Sequence, residues 1–140
     1  MKIEKLSGPG AKRWMLVDDD EGALSLLSRI VSKLGIIDTE CFASPKAALA
    51  AFKAAPESYE MVITDFRMPG MDGLELSRQL LTVAPGIKIL LMTGSGLISN
   101  ETAESEGFCG LLHKPFHLTA MQNVLAAVAA GKFSTNLEIT

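Results

Sequence analysis

At 140 residues the chain is long enough for one domain that buries about two thirds of its unfolded surface, so a core needs no disulfide frame or structural metal. A composition of 48% hydrophobic and 21% charged residues, a formal net charge of -3 and no like-charge run longer than Asp18-Asp19-Asp20-Glu21 exclude a general nucleic-acid or anionic-membrane surface. The longest apolar runs fall far short of a membrane span, and Met1 to Gly10 lacks the apolar centre of a secretory signal, which points to the cytoplasm.

Residues 1–12 carry Ser7-Gly8-Pro9-Gly10 and no periodicity, and read as a lead-in or linker remnant; the domain runs over 13–131 and a polar tail over 132–140. Trp14-Met15-Leu16-Val17 is the first apolar run, and it ends on Asp18-Asp19-Asp20. Leu24, Leu27, Ile30, Val31 and Leu34 then share one helical face that Gly35 closes. Residues 36–42 read as a second strand, followed by Ser44 as an N-cap, Pro45 at the first helical position and an Ala-rich helix over 46–55 that Pro56 ends. Met61-Val62-Ile63 is a strand buried on both faces that delivers Asp65 to its carboxyl end. Pro69, Gly70 and Gly73 then break the chain, and Asp72 caps a helix that stops at Pro85-Gly86. Ile87 to Met92 forms the fourth strand and ends on Thr93, with the glycine-flanked loop Gly94-Ser95-Gly96 behind it. A weaker helix spans 99–106, the short strand Leu111-Leu112-His113 ends on Lys114-Pro115-Phe116, and the helix through Met121, Leu125 and Val128 stops at Gly131.

Five strands alternating with five helices imply a parallel α/β sheet covered on both faces, with right-handed crossovers. In such sheets the working groups gather outside the carboxyl ends of the strands, and here that edge displays Asp18 to Asp20, Asp65, Thr93 and Lys114. Converging carboxylates stay ionised only beside a cation, and a few oxygen ligands on loops suit Mg²⁺. One carboxylate can then act as nucleophile toward a phosphoryl donor, while a hydroxyl and an ammonium receive the transferred oxygens.

Four motifs in order, Val17-Asp18-Asp19, Asp65 with Met68-Pro69-Gly70-Met71-Asp72-Gly73, Met92-Thr93-Gly94 and Lys114-Pro115-Phe116, resemble the receiver domain of two-component response regulators. The resemblance covers Arg13 to Gly131 and implies a flavodoxin-like, five-stranded sheet of order 2-1-3-4-5. It implies that Asp65 is the phospho-acceptor and that Asp18, Asp19, Asp65 and the backbone carbonyl of Arg67 surround Mg²⁺. It implies that Thr93, Gly94 and Lys114 engage the phosphoryl group, and that the Lys114–Pro115 peptide is a candidate for the cis form, which X-Pro chemistry makes accessible. The donor would be a sensor histidine kinase or a histidine phosphotransfer domain. The output would be binding of a downstream protein not identified by the sequence, with no direct role for nucleic acid or membrane, from a stand-alone regulator or a piece of a longer protein such as a hybrid kinase. Leu111 stands where the family often places Tyr or Phe, and leucine has no ring or hydroxyl to report on Thr93.

Other readings compete with these. Asp20 and Glu21 read as helix N-terminal charges, and Cys41 and Cys109, without a CxxC pairing, as ordinary thiols. His113 and His117 lack a third ligand in sequence and read as structural. A hydrolase of the haloacid-dehalogenase type wants an Asp two residues past the nucleophile, where this chain has Arg67. A flavin module of the flavodoxin sort needs a first loop that cradles phosphate, and Asp18 to Asp20 would repel one. A pseudo-receiver, binding partners without phosphorylation, finds support only in Leu111.

Overall fold

The computed structural model describes residues 12–36, 38–94 and 97–136; most of the lead-in, the Ser95-Gly96 part of the glycine loop and the last four residues of the tail lie outside the described residues. Strands β1 (Arg13–Val17), β2 (Thr39–Phe42), β3 (Tyr59–Asp65), β4 (Lys88–Thr93), β5 (Gly110–His113) and β6 (Ser134–Thr135) form one sheet of order β2-β1-β3-β4-β5-β6. All neighbouring strands are parallel. Helices α1 (Glu21–Lys33), α2 (Pro45–Ala54), α3 (Gly73–Val83), α4 (Asn100–Ser105) and α5 (Leu118–Ala129) supply the crossovers, and this is the flavodoxin-like arrangement.

Alternation within each strand sorts the core into two layers. Trp14 and Leu16 of β1 face α1 and α5, meeting Leu27, Val31, Met121 and Leu125. Met15 and Val17 face the other way, onto Phe52 of α2, Leu76 and Leu80 of α3 and Ala103 of α4. Each of the large aliphatic or aromatic side chains among them, once buried, contributes about 1.5–3 kcal/mol against the entropy of ordering the chain.

The helix ends follow local chemistry. Asp20 caps α1, its side chain accepting from the amides of Gly22 and Ala23; Ser44 caps α2 through Ala47, and Asp72 caps α3 through Glu75. The strand at 36–42 is shorter than expected, beginning at Thr39, whereas β3 is longer, running from Tyr59 to Asp65.

The strand count is corrected from five to six. Gly131, at φ +81°, turns the chain back after α5, and Ser134–Thr135 from the expected polar tail pairs with Gly110 and Leu111. Two residues carry no readable period, so only the space beside β5 makes them a strand.

Candidate functional site

Each strand end in the middle of the sheet contributes one group. Val17 is the last residue of β1, and the Asp18 amide still donates to the Phe42 carbonyl at 3.1 Å, so Asp18 leaves the sheet in a set direction. It is 1% exposed. One of its oxygens accepts from the Asp20 amide at 2.9 Å and the other from Lys114 Nζ at 3.0 Å. Asp19 beside it is exposed.

Asp65 ends β3, and the next amide, that of Phe66, donates to the Met92 carbonyl at 2.8 Å, which ties the acidic turn to β4. Its Oδ1 lies 2.9 Å from Lys114 Nζ. Lys114 therefore joins the first and third strand ends through one ammonium. Its own amide donates to the Thr93 carbonyl at 2.8 Å, and the peptide that follows it, to Pro115, is cis. Thr93 is 1% exposed and its hydroxyl donates to the Gly94 carbonyl at 3.1 Å, so it borders the cluster without bonding to either carboxylate. Arg67 is exposed, its guanidinium 5.9 Å from the centre of the Phe66 ring. Leu111 is fully buried, paired with Leu91 on one side and Thr135 on the other.

Oxygens of Asp18, Asp19 and Asp65 all lie within 4.8 Å of one another. One ammonium against three carboxylates leaves negative charge uncompensated. Burial is the largest influence on Asp65 and raises its pKa; the hydrogen bond from Lys114 opposes this, and the charge of Asp18 adds to it, so the carboxyl stays above its usual range. Burial works against the charge of Lys114, but its hydrogen bonds to Asp65 and Asp18 outweigh that and hold the ammonium above its usual pKa. A hard divalent cation with oxygen ligands, Mg²⁺ first among them, suits this donor set.

In metal-free protein the contribution of Asp65 is fully present below its unfolded pKa and is lost as pH rises through the raised folded one. Stability curves of the metal-free wild type should therefore contain a component that falls between those two pKa values, and Asp65→Asn should remove it. Chemical denaturation at a series of pH values, in chelator, checks this; parallel curves for the two proteins would refute it.

Sequence reasoning missed two supports. Thr64, fully buried, donates its hydroxyl to the Asp65 carbonyl at 3.0 Å. Gly73, read only as a turn residue, gives its amide to the Phe66 carbonyl at 2.7 Å, and a Cβ there would stand 2.3 Å from the Asp65 carbonyl oxygen and 3.0 Å from Leu91 Cδ1. No local signal separates a glycine required for close approach from one that ends a strand. Because the clash is with backbone, Gly73→Ala is expected to cost about 3 kcal/mol. An unchanged urea midpoint would show that the loop yields freely.

The remaining groups stay outside the cluster. His113 is 8% exposed, burial pushes its pKa down, and neither ring nitrogen has a partner among the described residues. Cys41 and Cys109 are free, and burial pushes the Cys109 thiol up to about 12.

Against known proteins, the family model described as response regulator receiver domain matches residues 15–126. The response regulator receiver protein CpdR of Brucella abortus (strain 2308) is 31% identical over 113 residues, covering 80% of this chain and 92% of CpdR. The putative two-component response regulator ARR21 of Arabidopsis thaliana is 32% identical over 120 residues, covering 84% of this chain, which spans only 19% of that longer protein. A response regulator receiver domain protein from Clostridium thermocellum superposes with a TM-score of 0.76 at 21% identity, over 86% of this chain and 95% of that one, a likeness of fold. The FixJ-N structure superposes with a TM-score of 0.72 at 28% identity, over 85% and 94%.

Proposed function

The chain belongs to the response regulator receiver domain family, and on that premise we propose that residues 13–131 form a phosphorylation-dependent switch in which Asp65 is the phosphoryl acceptor. The donor is a phosphohistidine on a sensor histidine kinase or histidine phosphotransfer domain, and the output is a change in binding to a downstream protein, in the cytoplasm. The observation that carries the reading is the single ammonium of Lys114 on both Asp18 and Asp65, at 3.0 and 2.9 Å.

A carboxylate oxygen of Asp65 attacks phosphorus, and an O–P bond forms as the P–N bond to the donor imidazole breaks; the imidazole, protonated beforehand on its other ring nitrogen, takes the bonding pair and leaves as the neutral ring. The clustered carboxylates of Asp18, Asp19 and Asp65 would hold Mg²⁺, with the Arg67 carbonyl as the further ligand that family membership suggests, and the ion would offset the charge of carboxylates and phosphoryl oxygens. Lys114 follows its Asp65 contact onto the new acyl phosphate. Thr93, whose hydroxyl donates to the Gly94 carbonyl, gives up that bond, turns to donate to a phosphoryl oxygen, and carries Gly94 along through the backbone. Reversal needs only water as acceptor, so the chain is a switch that acts on itself and not an enzyme with turnover on a separate substrate.

The test is the intact mass of the protein after incubation with Mg²⁺ and a small-molecule phosphodonor, with and without chelator. One added phosphoryl group, lost with chelator, is expected. No adduct, together with no Mg²⁺-dependent response to beryllofluoride, would overturn the proposal in favour of a phosphorylation-independent interaction domain, for which Leu111 is the one supporting residue.

A further inference from the structure

Beyond α5 the chain doubles back at Gly131 and lays Ser134–Thr135 along β5, in register with Gly110 and Leu111. Phe133 anchors this segment on the core layer that contains Leu111. The fit depends on Gly110, where a Cβ would stand 2.9 Å from the Ser134 carbonyl oxygen and 2.8 Å from Leu90 Cδ1. Past the two-residue ladder the attachment passes to a side chain. Asn136 accepts from the His113 amide at 2.7 Å through Oδ1 and donates to the His113 carbonyl at 3.0 Å through Nδ2, so its amide group stands in for the next peptide of a strand.

That clamp grips the one residue placed between the two groups that answer the Asp65 site. His113 pairs with Thr93 across the sheet, and it immediately precedes Lys114, whose amide donates to the Thr93 carbonyl at 2.8 Å. Both clamp bonds are made to the same residue, so one displacement of the His113 backbone disturbs them together. His113 itself is 8% exposed and borders a cavity of about 360 Å³ shared with His117 and Asn136, so the clamp lies at the wall of that cavity.

We propose that residues 133–136 form a releasable strap over the open edge of β5, held by the Asn136–His113 clamp, and that loading of the Asp65 site loosens it. The inference rests on Asp65 being the phosphoryl acceptor. Thr93 and Lys114 shift toward the phosphoryl oxygens, the His113 backbone moves with them, and the clamp opens. Release would leave the outer backbone groups of β5 unpaired and open to solvent.

Amide hydrogen exchange on the full chain reads the clamp directly, because the His113 amide donates to Asn136. In the wild type without additives this amide should exchange slowly, and with Mg²⁺ and beryllofluoride it should exchange roughly tenfold faster or more. In Asn136→Ala it should be fast in both conditions while the Thr93 and Lys114 amides still respond. If those two amides respond in the wild type but His113 stays slow, the strap is not coupled and the inference is overturned, with the acceptor reading intact. A His113 amide as slow in Asn136→Ala as in the wild type overturns the clamp itself. If no amide responds, the acceptor reading fails and the strap inference falls with it.

Discussion

Asp65→Asn is expected to abolish the phosphoryl adduct completely, with no loss of fold. The carboxamide occupies nearly the same volume, keeps an oxygen for the Lys114 ammonium that now lies 2.9 Å from Oδ1, and has no nucleophilic oxygen to offer. Because burial and the charge of Asp18 hold the Asp65 pKa up, removing the ionised form relieves the cluster, so the variant should be at least as stable as the wild type at neutral pH without metal. Loss of the adduct then cannot be ascribed to unfolding. Asp18→Asn and Asp19→Asn should act differently, leaving the acceptor in place but weakening the charge cluster, so that phosphorylation slows and requires more Mg²⁺. Intact mass over a time course separates the cases. An adduct on Asp65→Asn equal to that on the wild type would move the acceptor elsewhere.

Lys114→Ala is expected to damage both stability and chemistry. Its ammonium is the one cation within salt-bridge distance of Asp18 and Asp65 among the described residues, and the Asp18 side chain it faces is 2% exposed. Removing one partner of a buried pair leaves a carboxylate without compensation, at about 3–5 kcal/mol for a fully buried pair; Lys114 is about a third exposed, which places the expectation at the lower end, about 3 kcal/mol. Added Mg²⁺ should recover part of this loss, since a cation at the same carboxylates supplies the missing charge. The phosphorylation rate should fall by about 10²-fold, the usual effect of removing one preorganised donor from a site where charge develops. Urea titrations with and without Mg²⁺, beside phosphorylation time courses, measure both. A variant as stable and as fast as the wild type would show that the ammonium bonds are incidental.

The parts legible from the residues share a short range. Asp20, Ser44 and Asp72 cap helices because the group each side chain satisfies is two or three residues away. The acids after β1 and β3 could be placed at strand ends because a bounded apolar run followed by turn residues states its own limits. Leu111, noted for the ring it lacks, lies buried between β4 and β6, and that second neighbour was not foreseen. The sequence offers no third ligand to His113 and His117, and it is the His113 backbone, rather than its ring, that carries the contact to Asn136.

By itself the sequence determined the alternation of strands and helices, their stops, and the delivery of Asp18, Asp65, Thr93 and Lys114 to one edge, since each follows from periodicity and capping within a few residues. Tertiary structure alone decided that Lys114 Nζ bonds Asp18 and Asp65 together, that Thr93 holds Gly94 instead of either acid, that Gly73 leaves room for the Asp65 carbonyl, and that Ser134–Thr135 closes the edge of β5. These depend on groups up to 96 residues apart coming within about 3 Å. Contact at that range is a property of how layers pack and of where a missing Cβ leaves space, and no window of neighbouring residues encodes it.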